Sequence, residues 1–365
     1  MLIKRFYLNN FRNYVNETVQ FSAGLNTLTG ANGQGKTNIL EGVYYLLTGK
    51  SYRIQREQEL LRWEQKAFSL EGDFSLASHN NLYLESHYRD NKKAIKINHV
   101  PCRRLSDFVG TVNVIFFSPD DLAMVKRGPG ERRRFLDFHI IQTLPSHAAL
   151  LNSYGKVLKQ KSALLNSRED DSVKYSQLQL WNEQIVTLGE KIIRNRDYLT
   201  NCLQDKANNI YENLTEGKEK IKLAYIALEN SDINEAIAGF SQLLESKTEQ
   251  EIRRRMILAG PHRDDLRILL DGRSARHFAS QGQQRSIVLS LKLAELELIR
   301  EIKNEYPLLM LDDVLSELDN FRREYLIRFI EYSGIQTLLT MTSAEARPTF
   351  GANYIVEKGK IRKTE

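Results

Sequence analysis

Residues Gly30, Ala31, Asn32, Gly33, Gln34, Gly35, Lys36 and Thr37 carry the spacing G-x-x-x-x-G-K-T. They follow an apolar stretch with Leu25 and Leu28 and lead into a helix-like run from Asn38, Ile39 and Leu40. Strand, loop and helix in that order are the context a phosphate-cradling loop needs. Glycines let the backbone turn its N–H groups inward, and the helix N-terminus adds partial positive charge. Lys36 is suited to neutralise terminal phosphates, and the Thr37 hydroxyl to ligate a magnesium ion. A larger side chain at Gly35 is expected to block the phosphate. A nucleoside triphosphate is therefore the default ligand, although the loop alone does not say which kind of NTPase this is.

A chain of 365 residues with 41% hydrophobic content can bury a large core, as one large or two medium domains. No apolar run approaches a membrane span, and Met1 to Phe6 alternates like a strand, unlike a signal peptide, so a cytoplasmic protein with no membrane partner is expected. Cys102 and Cys202 are isolated and predict neither a disulfide framework nor a zinc site. The net charge of +6 points to polyanionic partners. Its distribution is more informative: one basic cluster holds Lys92, Lys93, Lys96, Arg103 and Arg104, a second Lys126, Arg127, Arg132, Arg133 and Arg134, and a third Arg253, Arg254 and Arg255. Each is a candidate phosphate contact or simply a solvated face.

Up to about Phe117 the pattern predicts short strands, at Leu2 to Leu8, Val15 to Phe21, Leu25 to Leu28, Phe68 to Leu76, Leu82 to Tyr88, Ala94 to Ile97 and Thr111 to Phe117. From Ser146 to Gly260 there is no proline, and apolar residues recur at helical spacing, which predicts a helical lobe. A hairpin is expected from Leu266 to Leu270 and Arg276 to Ala279, turning at Asp271 and Gly272, followed by a long amphipathic helix from near Gln283. Leu308 to Leu311 then reads as a buried parallel strand, with a helix over about Asn320 to Tyr332 and a strand over Ile335 to Met341 completing a βαβ-like pattern.

Asp312 and Asp313 close the buried strand. An acidic residue there is what a phosphate-binding loop needs to hold magnesium or its water. Asp312 suits that role; Asp313, expected to point the other way on an extended backbone, suits polarisation of the attacking water. Lys36 and Asp312 lie near opposite ends of the chain, so a whole lobe is inserted between two halves of one site. Ser280, Gln281, Gly282 and Gln283 open the preceding helix, where they read either as a second anion site or as ordinary N-capping.

Loop, inserted lobe, S-x-G-Q before a helix, and an apolar strand ending in paired acids together resemble the ABC-type ATPases and, within them, SMC-like heads. Asn9 to Tyr14, Arg132 to Asp137 (RRRFLD), Gly260 to Leu266 (GPHRDDL) and Leu311 to Asp319 (LDDVLSELD) make the match close to the RecF family of DNA replication and repair proteins. The resemblance implies an α/β ABC/SMC-like ATPase head at residues 1–125 and 256–365, with a mainly helical lobe inserted at 126–255. It implies ATP and Mg2+ as ligands: Gly30 to Asn38 hold the phosphates, Thr37 and Asp312 the metal, and Asp313 is the catalytic carboxylate together with Lys36. Ser280, Gly282 and Gln283 would reach the γ-phosphate of a second copy, with Asp319 at the seam of an ATP-dependent homodimer. Partners implied are duplex or single-stranded DNA or their junctions, with RecO and RecR, to place RecA at gaps and stalled forks. Arg103, Arg104, Arg132, Arg133 and Arg134 are the expected DNA contacts, although the RRRFLD arginines can instead brace the fold.

Three departures from the family pattern predict slow turnover, with ATP serving as a switch. No glutamine occurs between Gln65 and Gln142, no histidine follows His277, and the second acid is Asp where many relatives carry Glu. Thr340 or Thr342 is left as a weak substitute for the histidine that senses the γ-phosphate. Another ABC-type subunit or a small-molecule kinase remain as alternatives, but the first gives no use to the basic clusters and the second leaves the S-x-G-Q segment unused.

Overall fold

The computed structural model describes residues 1–77, 81–103, 108–342 and 348–364. In chain order the elements are β1 (Leu2–Phe11), β2 (Tyr14–Gln20), β3 (Leu25–Thr29), α1 (Lys36–Thr48), β4 (Ala67–Ser75), β5 (Leu82–Arg89), β6 (Lys92–Ile97), β7 (Val100–Pro101) and β8 (Val114–Phe117). There follow α2 (Ala123–Lys126), α3 (Pro129–Thr143), α4 (Ser146–Leu165), α5 (Asp171–Leu214), β9 (Ile221–Ile226), α6 (Ile233–Ala238), α7 (Phe240–Arg254), β10 (Asp265–Leu270), β11 (Arg273–Ser274) and α8 (Ala275–Phe278). The chain ends with α9 (Gln281–Lys303), β12 (Leu308–Asp312), α10 (Val314–Glu317), α11 (Asn320–Ser333), β13 (Thr337–Met341), β14 (Ala352–Glu357) and β15 (Lys360–Thr364). Two compact units result, one of Met1–Asp121 with Lys292–Glu365 and one of Leu122–Leu291, so the Ser280 to Gln283 segment belongs to the second.

The first unit holds two six-stranded sheets, ordered β2-β1-β4-β5-β6-β7 and β15-β14-β3-β13-β12-β8. Every residue of β3, β8, β12 and β13 is buried. Strands covered on both faces need continuous apolar runs, and the three pairings among these four are parallel. β4, in the antiparallel sheet, alternates buried and half-buried positions along its length. Helix α1 is buried on most of its surface. At Gly42 it lies so close to the antiparallel sheet that a Cβ would stand 3.0 Å from the Phe6 ring and 3.2 Å from Leu8.

The second unit is helical except for the sheet β11-β10-β9. Strand β9 corrects the expectation of an uninterrupted helical block: Ile221, Leu223 and Tyr225 are buried on a two-residue period and pair with β10 more than 40 residues away. The hairpin turns where expected, with Asp271 at φ 45° and Gly272 at φ 78°, the pair of left-handed residues a tight hairpin needs. Pairing nevertheless stops after Leu269↔Ser274 and Leu270↔Arg273, and residues Ala275 to Phe278 form a helical turn in place of the expected strand.

Candidate nucleotide-binding site

The Gly30 to Thr37 loop joins β3 to α1 as its spacing requires. Gly33 and Gly35 stand at φ 79° and 116°, in the region that favours glycine. Gly35 is constrained for a reason the sequence did not show: a Cβ there would fall 2.6 Å from Asn13 Nδ2 and 2.8 Å from the Tyr14 hydroxyl. The β1–β2 turn thus braces the back of the loop, Tyr14 donating to the Gly35 carbonyl (3.0 Å) and Asn13 to that of Gln34 (3.0 Å). Gln34 Oε1 also accepts from the Lys358 amide at 2.7 Å, tying the loop to the β14–β15 turn. Asn38 donates to Asn13 Oδ1 at 2.8 Å and accepts from Arg53 at 3.1 Å.

No side chain caps α1, and its first turn has no acid, which suits an N-terminus that receives an anion. Lys36 Nζ is folded back onto the carbonyls of Gly30 (2.6 Å) and Ala31 (2.9 Å). Burial pulls its pKa down against the opposing pull of Asp313 and Asp312.

Asp312 Oδ1 accepts from the hydroxyls of Thr37 (2.9 Å) and Thr340 (2.8 Å), joining β12, α1 and β13 in one cluster. Asp313 is not extended as expected; it takes the left-handed conformation, φ 52° and ψ 25°, as the N-cap of α10. Its amide donates to Thr340 Oγ1 at 2.9 Å. Its carboxyl is held above the usual range, first by burial and then by the neighbouring Asp312 charge, with Ser316 and Lys36 opposing. Thr340 is fully occupied as the pin between the two acids and is 1% exposed, which removes it as a stand-in for a γ-phosphate sensor.

Sequence reasoning missed Glu41. It is buried in α1, receives a bidentate pair from Arg12 at 2.9 Å and 2.9 Å, and accepts from Ser51 at 2.6 Å. Arg12 is therefore a brace of this unit. A cleft of about 460 Å3 lined by Arg12, Asn13, Asn38, Arg53 and Trp63, among others, opens beside the loop, with Trp63 90% exposed.

In the second unit, Ser280 and Gln283 form a reciprocal cap. The Ser280 amide donates to Gln283 Oε1 (2.7 Å) and the Gln283 amide to Ser280 Oγ (3.3 Å). Gln283 Nε2 also donates to Glu219 at 2.6 Å. Ser280 is exposed, and a Cβ on Gly282 would meet nothing within 4 Å. In the first unit Asp319 caps α11, accepting from the Arg322 amide at 2.9 Å.

The basic candidates divide sharply. Arg132 is 4% exposed, makes a bidentate pair with Asp265 (2.7 and 3.0 Å) and donates to the carbonyls of Met124 and Arg127. Arg133 donates to the Asp264 carbonyl at 2.6 Å. Arg132 and Arg133 thus both brace the GPHRDDL segment, the alternative role expected for the RRRFLD arginines. Arg134 is exposed and pairs with Glu131 at 3.2 Å. Arg103 is exposed, and Arg104 lies outside the described residues.

The family model described as the RecF/RecN/SMC N terminal domain matches residues 2–358. A protein of Desulfitobacterium hafniense, "DNA replication and repair protein RecF", is 56% identical over 100% of both chains. This chain belongs to the RecF family. A RecF of Natranaerobius thermophilus is 40% identical over 94% of this chain and 92% of its own. Among solved structures, the recombination mediator protein RecF with ATP, in the RecFOR pathway, superimposes with a TM-score of 0.90 at 29% identity, covering 100% of this chain and 97% of that one. An Smc head bound to the C-winged helix domain of ScpA shares the α/β head fold, with a TM-score of 0.61 at 16% identity over 100% of this chain and 97% of that chain. No helix among the described residues is long and apolar enough to cross a membrane.

Proposed function

We propose that this RecF-family chain is an ATP-dependent DNA-binding protein with slow ATPase activity, closing into a homodimer on ATP and acting with RecO and RecR to promote RecA loading at gaps and stalled forks. The observation that carries this assignment is the cluster of Lys36, Thr37, Asp312 and Asp313 at the carboxyl end of the parallel sheet, pinned by Thr340. The ATP-bound relative supports the ligand, and its place in the RecFOR pathway supports the partners. The functional division into a head at 1–125 and 256–365 and an inserted lobe at 126–255 is part of the same proposal.

In the nucleotide-bound chain, Lys36 leaves the loop carbonyls for the β- and γ-phosphates, and the α1 amides receive the phosphate oxygens. Thr37 and Asp312 place hard oxygen donors 2.9 Å apart, a set that fits magnesium. Bound there, the ion would offset phosphate charge. Asp313 accepts the proton of the attacking water. The cleft with Trp63 and Asn38 receives the nucleoside, and the exposed Ser280 to Gln283 cap of a second copy closes over the γ-phosphate.

Thr340 acts as a positioning residue for both acids. Thr340→Val should lower kcat about tenfold, the worth of one buried hydrogen bond, while Thr340→Ser restores it. ATP affinity measured alongside should stay constant; an unchanged kcat would remove the pin from the mechanism.

Sedimentation tests the dimer. The wild-type chain should double its mass with magnesium and ATP but not with ADP, and Lys36→Ala or Ser280→Arg should remain monomeric. A wild-type chain that stays monomeric under ATP would overturn the composite site.

A further inference from the structure

We infer that one end of the second unit carries a phosphate-binding groove for a DNA strand, formed by Lys174, Arg253 and Arg255. This rests on the DNA-binding assignment above and places the contact away from the arginines that the sequence favoured.

The first turn of α5 and the last turn of α7 enclose an open cavity of about 620 Å3, whose lining includes Asp171, Lys174, Tyr175, Glu249, Arg253 and Arg255. Lys174 is 5% exposed, yet the only opposite charge within 4 Å of its ammonium among the described residues is Asp171 at 3.9 Å, too long for a hydrogen bond. That carboxylate is itself 79% exposed. A lysine this buried ordinarily finds a close partner, as Lys161 does in the same unit with Glu251 at 2.6 Å. Lys174 instead lines a cavity with room for one.

Arg253, Arg254 and Arg255 are consecutive and exposed, and no side-chain hydrogen bond or ion pair engages any of them among the described residues. In the other basic clusters Arg132 is already paired with Asp265, Arg134 with Glu131, Lys93 with Glu57 and Lys96 with Glu85. A phosphodiester can engage these exposed guanidinium groups through the fork geometry that arginine offers. The N-terminus of the 44-residue α5 adds partial positive charge on the facing wall. Tyr175, 42% exposed, supplies an aromatic surface on which a base can stack. Asp171 and Glu249 are the opposing charges, leaving the lining with three cationic groups against two carboxylates.

The test is DNA binding by the full chain with magnesium and ATP, followed by fluorescence anisotropy across a salt series on single-stranded and duplex oligonucleotides. Arg253→Glu/Arg255→Glu should weaken binding at least tenfold, and log K should fall less steeply with log salt by about 1.5 to 2, the share of two phosphate contacts. Lys159→Glu/Lys222→Glu makes the same charge change at exposed sites of this unit and should cost no more than about threefold. The ATP-dependent mass of each variant reports that folding and nucleotide response persist. A groove variant that binds no worse than the control overturns the groove. A wild-type chain without salt-sensitive DNA binding overturns the DNA-binding assignment itself, so the two failures are distinguishable.

Discussion

Asp313→Asn should reduce steady-state ATP hydrolysis by about 10²- to 10⁴-fold, the usual worth of a positioned general base, while leaving ATP binding and ATP-driven dimerisation in place. The substitution is nearly isosteric, so the left-handed backbone at φ 52° and the amide bond to Thr340 are retained. What is lost is a carboxylate whose proton affinity is raised by burial and by the adjacent Asp312 charge. A raised carboxyl is a better proton acceptor than an exposed one. The sign for pH follows: hydrolysis by the wild type should fall as pH drops through this raised pKa, because the base is then protonated. The asparagine variant should lose that acid limb. Phosphate release measured against pH, with nucleotide affinity in parallel, separates the base from a purely binding role. Hydrolysis unchanged in Asp313→Asn would mean that this carboxylate is not catalytic.

The phosphate loop and β12 were legible because their signals are local: a glycine spacing before a helix, and a continuous apolar run ended by acids. The backbone at Asp313 was not, since nothing in a D-D pair distinguishes an extended residue from a left-handed one. Side chains whose role depends on a distant partner were equally hidden. Arg132 reads as a surface cation until Asp265 is folded against it, and the tie between Arg12 and Glu41 shows only once Glu41 is buried beneath it. Strand β9 failed for the same reason: its six residues lie in a helical neighbourhood, and the pairing with β10 that overrides local periodicity is invisible to a window of ten or so residues. The S-x-G-Q segment was legible as an N-cap and is one, whereas the contact proposed for it with a second copy has no local signal.

Acid should destabilise the second unit between pH 6.5 and about 4 through His262. Burial, reinforced by the charges of Arg263, Arg133, Lys161 and Arg196, lowers this imidazole to about 4. The contacts agree with a neutral ring: Tyr154 lies 2.8 Å from Nδ1, and Nε2 is buried without a hydrogen-bond partner among the described residues. Gly260 lets the two rings approach, since a Cβ there would stand 2.5 Å from the Tyr154 hydroxyl and 3.0 Å from the His262 ring. In the unfolded chain the same histidine binds its proton near 6.5, so the unfolded state takes up more protons through this window. The stability is fully present above 6.5 and is lost as pH falls towards the folded value, a total of about 3 kcal/mol. The buried Asp264 titrates with the opposite sign, because its carboxyl is raised in the folded state, so wild-type data alone mix the two. His262→Gln separates them. Urea unfolding of both chains at pH 7 and pH 4.5 should show the wild type losing about 2 kcal/mol more than the variant across that interval. Equal losses would mean that His262 is charged in the folded protein, and its lowered pKa would have to be abandoned.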